Sequence, residues 1–140
     1  GVNSRLDELQ ACYLHAFLPH LACWNEHRRA VASVYRRALA GARAVRLLDA
    51  DGDSVHHLAV ARCARRDELR EFLSERGIET GVHYPAALHE HPGLAGKASF
   101  AEAPREAAQG GAEVFSLPIG PHVSLEDAAA VAGAVAEFAR

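Results

Sequence analysis

Leu6, Leu9, Tyr13, Leu14 and Phe17 fall on one stripe of a helix read from about Ser4 to Leu18. Ser4 can cap that helix, with Asp7 three residues on to complete a capping box. Pro19 cannot continue it without losing a hydrogen bond, so a kink or a restart is expected there, with Pro19 in the new first turn. A second helical pattern then runs to about Leu39, with Leu21, Trp24, Val31, Tyr35, Ala38 and Leu39 on one face and Gly41 as a C-cap.

Beyond Gly41 the period changes. Val45 to Leu48 reads as a short strand and Asp49 to Asp53 as a turn. Val55 to Cys63 alternates, with Val55, His57, Ala59, Ala61 and Cys63 on one face, and predicts a strand. Asp67 to Arg76 reads as a helix with Leu69, Phe72 and Leu73 inward, ended by Gly77. Ile78 to Tyr84 is a further strand, closed by Pro85. Ala86 to Ala103 is irregular, and Arg105 to Gln109 starts a helix that Gly110-Gly111 weaken. Glu113 to Leu117 is a strand stopped by Pro118. Ser124 with Asp127 caps a last helix, with Leu125, Ala128, Val131, Val135 and Phe138 on its inner side.

The sum is an α+β architecture: three or four short strands covered by helices and preceded by two long helices. The apolar stripe of the first helix exceeds what so small a layer covers, so it is expected to meet a partner domain.

Composition narrows the class. The 140 residues are 49% hydrophobic, enough for one domain with a real core. A net charge of −3 and arginine pairs interleaved with acids argue against nucleic acid, the pairs reading as solvated helix faces. No apolar run is long enough to span a membrane. Cys12, Cys23 and Cys63 suggest no disulfide framework, which fits a cytoplasmic protein. The sequence holds no methionine, as expected of a piece of a longer protein or a processed one, and a single lysine, Lys97.

Two places carry candidate chemistry. Asn3 and Arg5 flank the start of the first helix, where free N–H groups and the helix dipole favour an anion such as phosphate, although local features alone favour an ordinary capped helix with solvated polar residues. His83-Tyr84-Pro85 stands at a strand end, where a rigid element can aim an imidazole and a phenol at a polar ligand; a packing cluster is the bland reading. His83, His89 and His91 lie close in sequence, but no acid or cysteine completes a standard metal spacing. No nucleophile elbow and no phosphate loop is present.

The order of these pieces is more specific than any one of them. Gly1-x-Asn3-Ser4-Arg5-Leu6-Asp7-Glu8-Leu9-Gln10-Ala11 resembles the segment that follows the catalytic lysine in the DegT/StrS family of PLP-dependent sugar aminotransferases. The likeness continues collinearly through Leu18-Pro19-His20-Leu21, Trp24-Asn25-Glu26, Ser54 to Leu58, Arg66 to Leu69, Gly77 to Pro85, Leu88-His89, Ser116 to Ile119 and Pro121-His122.

The resemblance implies the C-terminal domain of a fold type I enzyme. Residues 1–41 would be interdomain helices leading to a large PLP-binding domain, and 42–140 the small domain. It implies amino transfer from glutamate to a nucleotide-linked keto sugar by a homodimer. Asn3 and Arg5 would reach the phosphate of pyridoxal 5'-phosphate, and His83, Tyr84 and His89 would face the substrate.

The family's aldimine lysine lies upstream of the position matching Gly1, and Lys97 does not match it, so the 140 residues are expected to be inactive alone. The sequence departs from the family pattern at His56, Ala87 and Gly110-Gly111. The alternative is a non-catalytic, truncated domain that dimerises with or regulates an intact paralogue.

Overall fold

A computed structural model describes residues 5–48, 54–94, 97 and 104–139. Helix α1 (Glu8–Phe17) leads through a 3-10 turn at Leu18–His20 into α2 (Leu21–Leu39), with Pro19 in the first turn of the restart. The cap of α1 is Asp7, whose carboxylate accepts from the Gln10 N–H at 2.8 Å. The helix therefore starts later than the expected cap at Ser4, which lies outside the described residues together with the expected turn at 49–53. A carboxylate serves an N-cap well because it lies at the positive end of the helix dipole.

Strands β1 (Val45–Leu47), β2 (Ala59–Cys63) and β3 (Val114–Leu117) form one antiparallel sheet in that order. The register puts Val45, Leu47, Ala59, Ala61, Cys63, Phe115 and Leu117 on one face, because side chains alternate along each strand. That face meets Val31, Tyr35 and Leu39 of α2 and joins one core with the last helix, α5 (Leu125–Phe138), which supplies Ala128, Val131, Ala132 and Val135. Leu69 and Leu73 of α3 (Arg66–Ser74) complete it.

β2 is shorter than the alternation predicts. His56 has φ of +47°, a left-handed conformation that interrupts an extended run. The expected strand from Ile78 to Tyr84 also fails to form. It touches the sheet through one bridge, Gly81 to Ser116. In that register the next bonded pair would need an N–H from Pro118, which has none.

The arginine pairs are not simply solvated. Arg28 and Arg29 donate to the carbonyls of Val55 (3.1 Å) and Ser54 (3.3 Å), and Arg66 donates to Gly111 (2.7 Å). Ser54 and Val55 lie before β2 and Gly111 in the last turn of a helix, where the guanidinium fork supplies donors to carbonyls outside a regular ladder.

Helix α4 (Arg105–Glu113) runs through both glycines. An alanine Cβ at Gly110 would meet nothing within 4 Å, and the backbone there is helical. Gly110→Ala should therefore raise stability by about 0.5–1 kcal/mol, read as a higher midpoint in thermal denaturation.

Ser124 and Asp127 form the expected reciprocal cap of α5, at 3.0 and 3.1 Å. The Ser124 hydroxyl, and then its backbone N–H, hold the Asp127 carboxyl below its ordinary value. The Arg62 guanidinium does the same for Glu113, with Gln109 assisting. A carboxyl depressed in the folded state stabilises it above the unfolded pKa of about 4, and that stability is lost as pH falls through the folded value. The melting temperature should accordingly drop on acidification below about pH 4, and Ser124→Ala should flatten that dependence.

Candidate functional site

The segment after α3 is built to hold its shape. Gly77 adopts φ of +73°, and Gly77 N–H and Ile78 N–H close the helix end onto Ser74 O and Leu73 O, both at 2.9 Å. This is a Schellman end, which needs a residue free to take the left-handed conformation. Arg70 of α3 then grips Thr80 through its hydroxyl (3.1 Å) and its carbonyl (3.3 Å).

Gly81 and Ser116 exchange two backbone hydrogen bonds of 3.1 and 2.8 Å. Two residues on, His83 turns its ring back toward β3, with Nδ1 3.1 Å from Ser116 Oγ. Tyr84 follows through a cis peptide, its ring edge-on to that of His83 at 6.0 Å between centroids. Tyr84 is 76% exposed.

β3 is anchored from behind. The Tyr35 hydroxyl, on a side chain that is fully buried, donates to Pro118 O at 2.6 Å. Burial, with the Asp127 charge adding to it, pushes this phenol well above its ordinary pKa, so it remains a donor. His27 Nε2 donates to Val123 O at 2.7 Å and fixes the loop before α5.

The expected site residues come from separate places. His83 and Tyr84 stand together at the end of the bridged segment. His89 is half-buried in the 3-10 turn Leu88–Glu90, and Arg5 is exposed ahead of α1. Asn3 lies outside the described residues. An open groove of about 820 Å³ lies between the Ile78–Gly81 strip, Pro118 and α5, and His83, Tyr84 and His89 are not among its lining residues.

Ser116 and Gly81 were not singled out from the sequence. Ser116 sits inside an apolar strand run that masks it. Gly81 carried a signal, since a glycine within a strand pattern often marks a close approach.

Among the described residues no group of three His, Cys, Asp or Glu side chains is placed to hold a metal ion, and no helix is long and apolar enough to cross a membrane.

Comparison with known proteins gives the class. The whole chain superposes, with a TM-score of 0.91 and 44% identity, on 38% of the crystal structure of Streptomyces venezuelae DesV in complex with a ketimine intermediate. Of this chain, 99% superposes on 37% of an aminotransferase from Brucella abortus, with a TM-score of 0.82 and 28% identity. The dTDP-3-amino-3,4,6-trideoxy-α-D-glucose transaminase of S. venezuelae is 45% identical over 141 residues, covering 99% of this chain and 37% of that protein. The fold is therefore that of the fold type I sugar aminotransferases, in the α+β part expected from the sequence. The chain belongs to the DegT/DnrJ/EryC1/StrS aminotransferase family, whose model matches residues 1–136. It spans a little over a third of the length of these relatives.

The described residues do not by themselves compose a site for pyridoxal phosphate. Covalent attachment needs a lysine held in a cleft. Lys97 lies in an exposed turn, where its backbone N–H bonds Leu94 O at 3.0 Å.

Proposed function

We propose that this chain forms the small-domain side of a PLP-dependent aminotransferase that transfers an amino group from glutamate to a nucleotide-linked keto sugar. Residues 1–41 lead to a large PLP-binding domain, 42–140 form the small domain, and the working assembly is a homodimer. Asn3 and Arg5 contact the cofactor phosphate, and His83, Tyr84 and His89 line the substrate side. The reactive lysine comes from polypeptide outside these 140 residues, which are inactive alone.

The observation that supports this most is the likeness to the S. venezuelae transaminase, which runs over nearly the whole chain. Two features agree with it. The apolar stripe of α1 is bare, with Leu9 81% exposed and no residue of that helix buried. His83 and Tyr84 present polar groups at the surface from a segment tied to the sheet.

The test is a chimera in which this chain replaces the matching part of the S. venezuelae transaminase. Glutamate-dependent amination of a dTDP-linked keto sugar is expected, and His83→Ala should raise KM for the sugar about tenfold, the cost of one hydrogen bond to substrate. A folded chimera without turnover would overturn the assignment. Added to the 140-residue chain, PLP should give no lysine-dependent absorbance band. A band abolished by Lys97→Ala would refute an external lysine.

A further inference from the structure

Three residues that meet at the edge of β3 define how His83 can act. His83 folds its ring back over Gly81, so the imidazole lies on the side where a Gly81 side chain would stand. Gly81 is the bridge partner of Ser116, and directly paired residues also share a face, so the Ser116 side chain joins them. Ser116 is only 5% exposed, so its hydroxyl is buried. Its backbone N–H and carbonyl are both taken by Gly81.

The hydroxyl of Ser116 carries one proton. A buried donor without an acceptor costs more than one unused lone pair. Among the described residues the one side-chain partner recorded for this hydroxyl is His83 Nδ1, at 3.1 Å. A ring nitrogen that accepts this proton cannot carry its own, so in the neutral ring the proton sits on Nε2.

Gly81 makes the contact possible. An ideal Cβ there would lie 2.5 Å from His83 Cε1 and 3.2 Å from Nδ1. The imidazole therefore rests on the Gly81 backbone, and any side chain would lift it off Ser116.

We propose that Ser116 and Gly81 are positioning residues that hold His83 in the Nε2–H tautomer, so that it meets its ligand as a hydrogen-bond donor to an acceptor oxygen of the nucleotide-linked sugar. The donor role toward that ligand rests on the reading of His83 as a substrate residue. The tautomer does not.

The experiment is nitrogen-15 NMR of the histidine rings in the 140-residue chain, with His83 assigned by substitution and the ring neutral. The expected spectrum has Nδ1 as the unprotonated and Nε2 as the protonated nitrogen. Ser116→Ala should replace it by a tautomer average, and Ser116→Thr, which keeps the hydroxyl, should restore it. Gly81→Ala should give the same average with the amide spectrum elsewhere retained, because the displaced group is the free end of a side chain. This variant carries the test if Ser116→Ala does not fold.

A wild-type ring protonated at Nδ1, or a spectrum unmoved by Gly81→Ala, would overturn the proposal. A locked tautomer together with an unchanged KM for His83→Ala in the chimera would instead sink the substrate reading and, with it, the donor role.

Discussion

Replacing Phe115 with alanine is expected to lower the unfolding free energy by about 3–5 kcal/mol. The ring is wholly buried on the inner face of β3, an outer strand of the sheet, opposite Ala61 in the register and in one core with residues of α2 and α5. Its cross-strand partner Ala61, together with Ala128 and Ala132 of that core, is too short to move into the space left behind. The cost should therefore include nearly the full cavity term as well as the lost transfer energy. Against a domain stability near the low end of the usual range, about 5 kcal/mol, this is enough to leave a measurable unfolded fraction at 37 °C. Urea denaturation followed by circular dichroism reads it directly. A loss below about 1 kcal/mol would mean that the ring does not occupy this site.

The second large effect is expected at Gly111. A Cβ there would lie 3.2 Å from Ala87 N and 3.3 Å from two backbone atoms of Ala86, none of which can rotate away. Gly111→Val should cost about 1–3 kcal/mol by overpacking and should shift the amide signals of Ala86 and Ala87. The neighbouring Gly110→Ala goes the other way, so the pair separates crowding from helix propensity. Because His89 follows two residues after Ala87, the same variant in the chimera should weaken sugar binding if His89 faces the substrate.

The two glycines also show what a linear reading could and could not find. As a dipeptide they look like a helix breaker, yet α4 continues through both, since Arg66 binds the Gly111 carbonyl and the 86–87 backbone lies against its missing side chain. Neither partner is adjacent in sequence. The cap of α5 was legible because both of its members lie within four residues, and the second helix because its stripe is long.

The strand expected over Ile78 to Tyr84 was misread because alternation describes one chain, while a ladder needs a partner with N–H groups at the right places. Of the candidate site, His83-Tyr84 stands out in the sequence as polar residues before a proline, but Ser116, whose hydroxyl lies 3.1 Å from the histidine ring, is 33 residues on, in a run that looks like core.

The bare first helix has a consequence for how the chain is measured. Ten residues are fewer than an isolated helix needs to persist in water, roughly 12–15, and α1 buries none of its side chains. Its amides should exchange with deuterium quickly while those of α2 and α5 stay protected. A melting curve will therefore report the sheet and the helices packed on it, α2, α3 and α5, more than the first one. Far-ultraviolet ellipticity, by contrast, should grow when another surface closes over Leu9 and Tyr13, which makes helical content a gauge of occupancy.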